Sequence, residues 1–137
     1  MPDIYVDLGP MAFSKDINKV AQKYTANAKK LMRDAAVKAI RNAPGFTPDN
    51  VANASGYHVD ATLAEIAFGT HGGQPAVTCK MTGVVATYPQ KKWLTSTLKG
   101  KATIAGDTSD GAVADCIAEA MKATMTDVVI PYLKQKP

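Results

Sequence analysis

The chain has 137 residues, 46% of them hydrophobic and 20% charged, with a formal net charge of +4. That is enough for one domain with a real core and ordinary for a soluble globular protein. No apolar run reaches the roughly 18 residues of a membrane span, and the charge excess is too diffuse to mark a nucleic-acid binder, which concentrates basic residues beside base-stacking aromatics.

The opening MPDIYVDLGP has no basic stretch followed by an apolar one. No signal peptide is therefore expected, which fits a cytosolic protein or one whose leader has been removed. Within Asp3–Leu8, Ile4, Val6 and Leu8 alternate with Tyr5 and Asp7, so a short strand is predicted there, ended by Gly9 and Pro10. Ser14 stands where a helix cap would be. From Lys15 to Asn42 the apolar residues Ile17, Val20, Tyr24, Ala28, Leu31 and Ala35 recur at spacings of three and four, which predicts a helix. Lys15, Lys19, Lys23, Lys30, Arg33 and Arg41 share its opposite face. A basic face of this kind can grip phosphate or an acidic partner, although a solvated face has the same pattern. Pro44 and Gly45 stop the helix.

Phe46–Gly56 reads as a loop with room for a short strand. Tyr57, Val59, Ala61 and Leu63 then alternate, whereas Ile66 and Phe68 fall out of phase. The spacing predicts a strand over Tyr57–Phe68 with a bulge near Ala64 and Glu65. Gly69–Pro75 has turn composition. Over Ala76–Pro89, Val77, Cys79, Met81 and Val85 occupy one face and Thr78, Lys80 and Thr82 the other. Residues 57–89 thus form a predicted antiparallel hairpin, the centre of the fold. Lys91–Gly100 holds the single tryptophan, Trp93, in a helical turn or an excursion. A further strand is predicted over Lys101–Ala105. After a loop, with Ser109 or Asp110 as cap, a second helix is expected over Ala112–Asp127. Its inward stripe is Val113, Cys116, Ile117, Ala120, Thr124 and Val128, and Pro131 ends it or begins a last turn.

Two cysteines fall on inward faces, Cys79 on the central strand and Cys116 on the last helix. If that helix packs on that sheet they can meet at disulfide distance or remain as two buried thiols. His58, Asp60 and His71 are the nearest approach to a metal set. Two of them share the outer face of one strand, and nothing in the spacing makes the three converge. No serine has a neighbouring His–Asp arrangement, and the glycines at 69, 72 and 73 lack the Lys-Ser/Thr of a phosphate loop. The expectation is a protein that is not an enzyme, without cofactor or metal.

The segments GYHVDATLAEI (56–66), VTCKMTGVVATYPQKKWLTSTLKGKA (77–102), ADCIAEAM (114–121) and VVIPYL (128–133) resemble an uncharacterised module of myxobacterial proteins that often follows HEAT repeats. IYVDLGPMAFSKD (4–16) is similar to that module's first strand. The resemblance implies a strand carrying Cys79, a turn at ATYP, and a helix carrying Cys116 paired with Cys79. The chain departs from it in having no HEAT repeats and in placing Trp93 after ATYP. The predicted order β-α-β-β-β-α also resembles the small α/β modules of envelope assembly proteins, such as the TolB amino-terminal domain, which bind other proteins and have no active site.

The expected fold is one α/β (α+β) domain over residues 1–137, two helices on one mixed sheet. The expected role is a structural or protein-interaction subunit of a larger assembly, homo-oligomeric, without specific nucleic-acid binding. Lys15, Lys19, Lys23, Lys30, Arg33 and Trp93 are its possible contact surface. Two alternatives are a bacteriophage virion component of neck or tail, and a small hydrolase or acidic-ligand binder. A Cys79–Cys116 bond would place the protein outside the cell or in an extracellular particle, and free thiols in the cytoplasm.

Overall fold

The computed structural model describes residues 3–15, 17, 23, 27–50, 55–94 and 97–135. In chain order these form β1 (Ile4–Leu8), β2 (Ala12–Phe13), α1 (Ala28–Arg41), β3 (Phe46–Thr47), β4 (Gly56–His71), β5 (Gln74–Tyr88), β6 (Leu98–Ala105) and α2 (Asp110–Ala123). A π turn (Thr124–Val129) then leads into α3 (Ile130–Lys134). The sheet order is β3-β1-β4-β5-β6, with β2 also paired to β4. β1 runs parallel to β3 and β4, whereas β4, β5 and β6 are antiparallel. Parallel neighbours need a crossover, and α1 lies within the one between β1 and β4. The expected architecture, two helices on a mixed sheet, is therefore the one observed.

The β4–β5 hairpin sets the geometry. It pairs from Gly56↔Tyr88 to His71↔Gln74, with one register shift between Leu63 and Glu65. The extra residue moves Ile66 onto the face already held by Val59, Ala61 and Leu63, as the broken alternation predicted. The strands run further than expected. The connection is only Gly72 and Gly73, both at positive φ (59° and 79°), which suits a tight hairpin turn. β6 likewise begins at Leu98, three residues before the predicted start.

Odd-numbered β5 residues Val77, Cys79, Met81 and Val85 are fully buried and join Met32, Ile40, Val113 and Ile117 in one core. Two helical expectations need correction. Lys15 and Ile17 lie in turns rather than in the helix, and the helix faces the core with Ala28, Met32, Ala36, Ala39 and Ile40. Leu31 and Ala35 are half-buried and look toward α2, where they line a groove with Ala118 and Thr126. The predicted stripe was one row off because this helix has two apolar rows, one for the sheet and one for its neighbour helix. Val20 and Tyr24 lie outside the described residues.

In the C-terminal helix, Ser109 Oγ accepts from the Ala112 N–H as the cap. Val113, Cys116, Ile117, Ala120 and Thr124 are buried as expected, but Val128 is only half-buried and Val129 takes its place. The π turn widens the helix and slips the inward stripe by one position. It ends at Val129, and after Ile130 comes Pro131, which has no N–H to offer the ladder. Gly100 of β6 lies directly under this turn: a Cβ there would stand 2.8 Å from Thr124 Cα.

Candidate functional site

α1 and α2 cover one face of the sheet, and among the described residues the other face carries no helix. On that face, even-numbered β5 residues project with the even-numbered β4 residues before the bulge, odd-numbered ones such as Glu65 after it, and the odd-numbered residues of β1. Parallel pairing sets Asp7 beside His58 and Tyr5 beside Gly56. Gly56 also pairs with Tyr88, and the Tyr5 and Tyr88 rings meet edge to face at 5.0 Å; a Cβ at Gly56 would run into the Tyr5 backbone carbonyl.

These residues form a continuous polar chain. The Tyr5 hydroxyl donates to Asp7 Oδ1 at 3.0 Å. Asp7 Oδ2 lies 2.6 Å from His58 Nδ1, and Asp60 Oδ1 lies 3.0 Å from His58 Nε2. Each ring nitrogen thus faces a carboxylate oxygen at hydrogen-bond distance. Burial, then the hydrogen bond and charge of Asp7, push the Tyr5 phenol up to about 12. Gly9 closes the chain from one side, since a Cβ there would sit 3.0 Å from the imidazole. Trp93 closes it from another, edge-on at 6.2 Å between ring centroids.

Sequence reasoning placed His58 on an exposed surface. It is 4% exposed, because β1 supplies a carboxylate on one side and the Trp93 segment folds over it. Neither Asp7 nor Trp93 is near His58 in sequence, and no local pattern announces the cluster. His71 stands at the far end of β4 beside the hairpin turn, so the three residues weighed as a metal set do not converge. Among the described residues, no group of three His, Cys, Asp or Glu is arranged to hold a metal ion. Both imidazole nitrogens are engaged by carboxylates, and the Trp93 ring packs edge-on against the imidazole.

Trp93 is 53% exposed yet fixed. It bridges Ala86. On either side of it, the Leu94 N–H donates to Val85 O at 2.8 Å and the Thr87 N–H to Lys92 O at 2.9 Å. The segment is neither a helical turn nor a loose excursion.

The other predicted contact residues that the structure describes are all exposed. Lys15 and Lys23 are exposed, and Lys19 lies outside the described residues. Lys30 pairs with Asp34 at 2.6 Å. Arg33 donates to Gly9 O at 2.7 Å, and Arg41 forks onto Asp49. Lys80, Lys99 and Lys101 line one groove, on the face of β5 and β6 away from the helices. Their signal in the sequence was their outward phase on two adjacent strands.

Cys79 and Cys116 are both buried and both free thiols. The expected packing is present, since Cys116 Sγ lies 3.4 Å from the carbonyl oxygens of Val77 and Ala102, and Ala102 is the cross-strand partner of Cys79. Of the two alternatives, a bond or two buried thiols, the structure holds the thiols. The hydrogen bond with Cys116, then burial, push the Cys79 thiol far above its ordinary range. A buried thiol held protonated is a poor nucleophile and packs as a small hydrophobe. Among the described residues, no helix is long and apolar enough to cross a membrane.

No protein-family model and no curated protein matches the chain. Solved structures do. A Xanthomonas campestris protein of the DUF330 family is similar at TM-score 0.59 and 13% identity, over 93% of this chain and 81% of that one. A hypothetical protein from Chlamydia trachomatis is similar at TM-score 0.55 and 9% identity, over 96% and 97%. The PelC dodecamer from Paraburkholderia phytofirmans aligns at TM-score 0.47 and 15% identity, over 89% and 88%. The first two likenesses establish the fold: this chain is a small α/β protein of the kind seen in the DUF330 structure.

Proposed function

We propose that the chain is a non-enzymatic subunit that joins other protein subunits, further copies of itself among them, through the helix-free face of its sheet. One observation carries this reading: a rigidly held tryptophan stands more than half exposed on that face. A side chain of this size gains from burial, and tryptophan is among the residues on which interfaces concentrate their binding energy. Its backbone is already ordered by the Ala86 bridge and by hydrogen bonds on both sides. Little freedom is then lost on contact. Beneath it, His58 has both nitrogens engaged by carboxylates, which supports a structural platform rather than a reaction centre.

Trp93 is the single tryptophan, so it reports on its own burial. On dilution from high to low micromolar concentration, its emission should shift to the red as the contact opens. Emission unchanged across that range, with the protein monomeric throughout, would overturn the reading.

A further inference from the structure

We infer that the outer edge of β6 accepts an extended acidic segment of a partner protein as an added strand. The inference rests on reading the helix-free face as an interaction surface, but it uses a different part of that face from Trp93. Lys80, paired with Lys101, lies six residues along β5 from the Ala86 bridge, roughly 20 Å at strand rise.

β6 is the last strand in the sheet, so one of its sides is unpaired among the described residues. The Gly106 N–H donates to Pro75 O at 2.7 Å. Residues 75 and 106 continue the β5–β6 register and form a hydrogen-bonded pair. In an antiparallel ladder such pairs alternate, so Leu98, Gly100, Ala102 and Ile104 turn their backbone groups toward β5. Lys99, Lys101 and Thr103 therefore send their N–H and C=O groups outward, and all three are exposed. A strand laid along β6 would bond to those residues and lie beside the lysine side chains.

The charges select the strand. Lys80, Lys99 and Lys101 line an open groove of about 860 Å³ with Thr82 and Glu65. Glu65 pairs with Lys80 at 3.0 Å, whereas Lys99 and Lys101 face no carboxylate among the described residues. Lys80 and Lys101 stand directly opposite each other across the ladder, an arrangement of like charges that destabilises a sheet. A ligand carboxylate between them would relieve it. Edge lysines ordinarily guard a sheet against indiscriminate pairing. The same lysines admit a strand that carries acidic residues on the matching face. The other side of the edge is different in kind: Ala102, Ile104 and Ala118 form an apolar floor with Asp115 and Glu119 at its rim. The fitting segment thus alternates acidic with small apolar residues.

A second copy of β6 does not fit. Antiparallel pairing of two β6 edges would set Lys99 and Lys101 against the same residues of the other copy. Among the described residues, the acidic side chains on strands are engaged: Asp7 and Asp60 by His58 and Glu65 by Lys80. The occupant is therefore another protein.

The test is titration of the full chain with a fluorescein-labelled octapeptide alternating Glu and Val, followed by anisotropy. Saturable binding that weakens with salt is expected. Lys99→Glu with Lys101→Glu should weaken it at least tenfold, and Lys15→Glu with Lys30→Glu should leave it unchanged. An octapeptide methylated on the backbone nitrogens that face β6 should bind at least tenfold more weakly. The Trp93→Ala variant should bind as the wild type does, which separates this edge from the tryptophan contact. No saturable binding, equal binding by the lysine variant with its thermal unfolding intact, or equal binding of the methylated peptide would each overturn the proposal. So would a cysteine cross-link forming between Lys99→Cys copies in preference to peptide binding.

Discussion

Gly100→Ala tests how the C-terminal helix is seated on the sheet. The added Cβ would meet Thr124 Oγ1 and lie 2.8 Å from Thr124 Cα. Neither atom can yield easily. The hydroxyl donates to Ala120 O at 2.7 Å, and the Cα belongs to a helix that is buried along this line. Overpacking of this kind costs about 1–3 kcal/mol. Replacing glycine also removes freedom from the unfolded chain, worth about 0.4–1 kcal/mol in the other direction. The net expectation is a loss of about 1–2 kcal/mol, the overpacking cost less that gain. Thermal unfolding should fall by roughly 4 °C per kcal/mol for a domain of this length. Gly83→Ala is the internal control. It lies on the same face of β5, but its Cβ would meet Val129 Cγ2 at 3.6 Å, an ordinary contact. It should be neutral or slightly stabilising. If Gly100→Ala is as stable as the wild type, or if both variants lose equally, the helix does not approach the sheet as described.

Three further outcomes follow from the packing and the titrating groups. Met32→Ala should cost about 2–5 kcal/mol in a denaturant titration, since Met32 is fully buried; Leu31→Ala should cost clearly less, and the reverse order would restore the stripe read from sequence. Tyr5 should ionise near pH 12 in the folded protein, seen as a late step in the phenolate absorbance. Its folded pKa is raised above the unfolded value, so its stabilising contribution is complete below about pH 10 and is lost as pH climbs toward 12; Tyr5→Phe should remove that loss, and a normal ionisation step for Tyr5 would contradict its burial beside Asp7. A thiol reagent without reductant should count almost no reactive cysteine in the native protein and two after denaturation, because Cys79 and Cys116 are buried and free; none after denaturation would mean a disulfide.

The hairpin was legible because its signals are local. Alternation from Tyr57 to Leu63 and the slip at Ile66 gave both strand and bulge, since a strand with one buried face has a strict period of two. The α1 stripe was legible only in part. Leu31 and Ala35 fit one row and Ala28, Met32, Ala36 and Ile40 another, and periodicity cannot say which row meets a sheet and which a second helix. Val128 was misplaced because a π turn shifts phase without changing composition. The His58 cluster was not legible at all. It depends on the register of β1 against β4 and on the path of the Trp93 segment, and both are tertiary choices. Lys80, Lys99 and Lys101 were visible as outward residues, but their convergence needed the β5–β6 register.

As an interface residue, Trp93 should control how the chain assembles. Sedimentation velocity on the purified chain, with Trp93→Ala run beside it over the same concentrations, tests that most directly. The wild type should sediment as a species of several chains that dissociates on dilution. Trp93→Ala, with its thermal unfolding intact, should sediment as a single chain at concentrations where the wild type is assembled. A wild type that remains a single chain at the highest concentration, or a variant that assembles equally well, would contradict the claim.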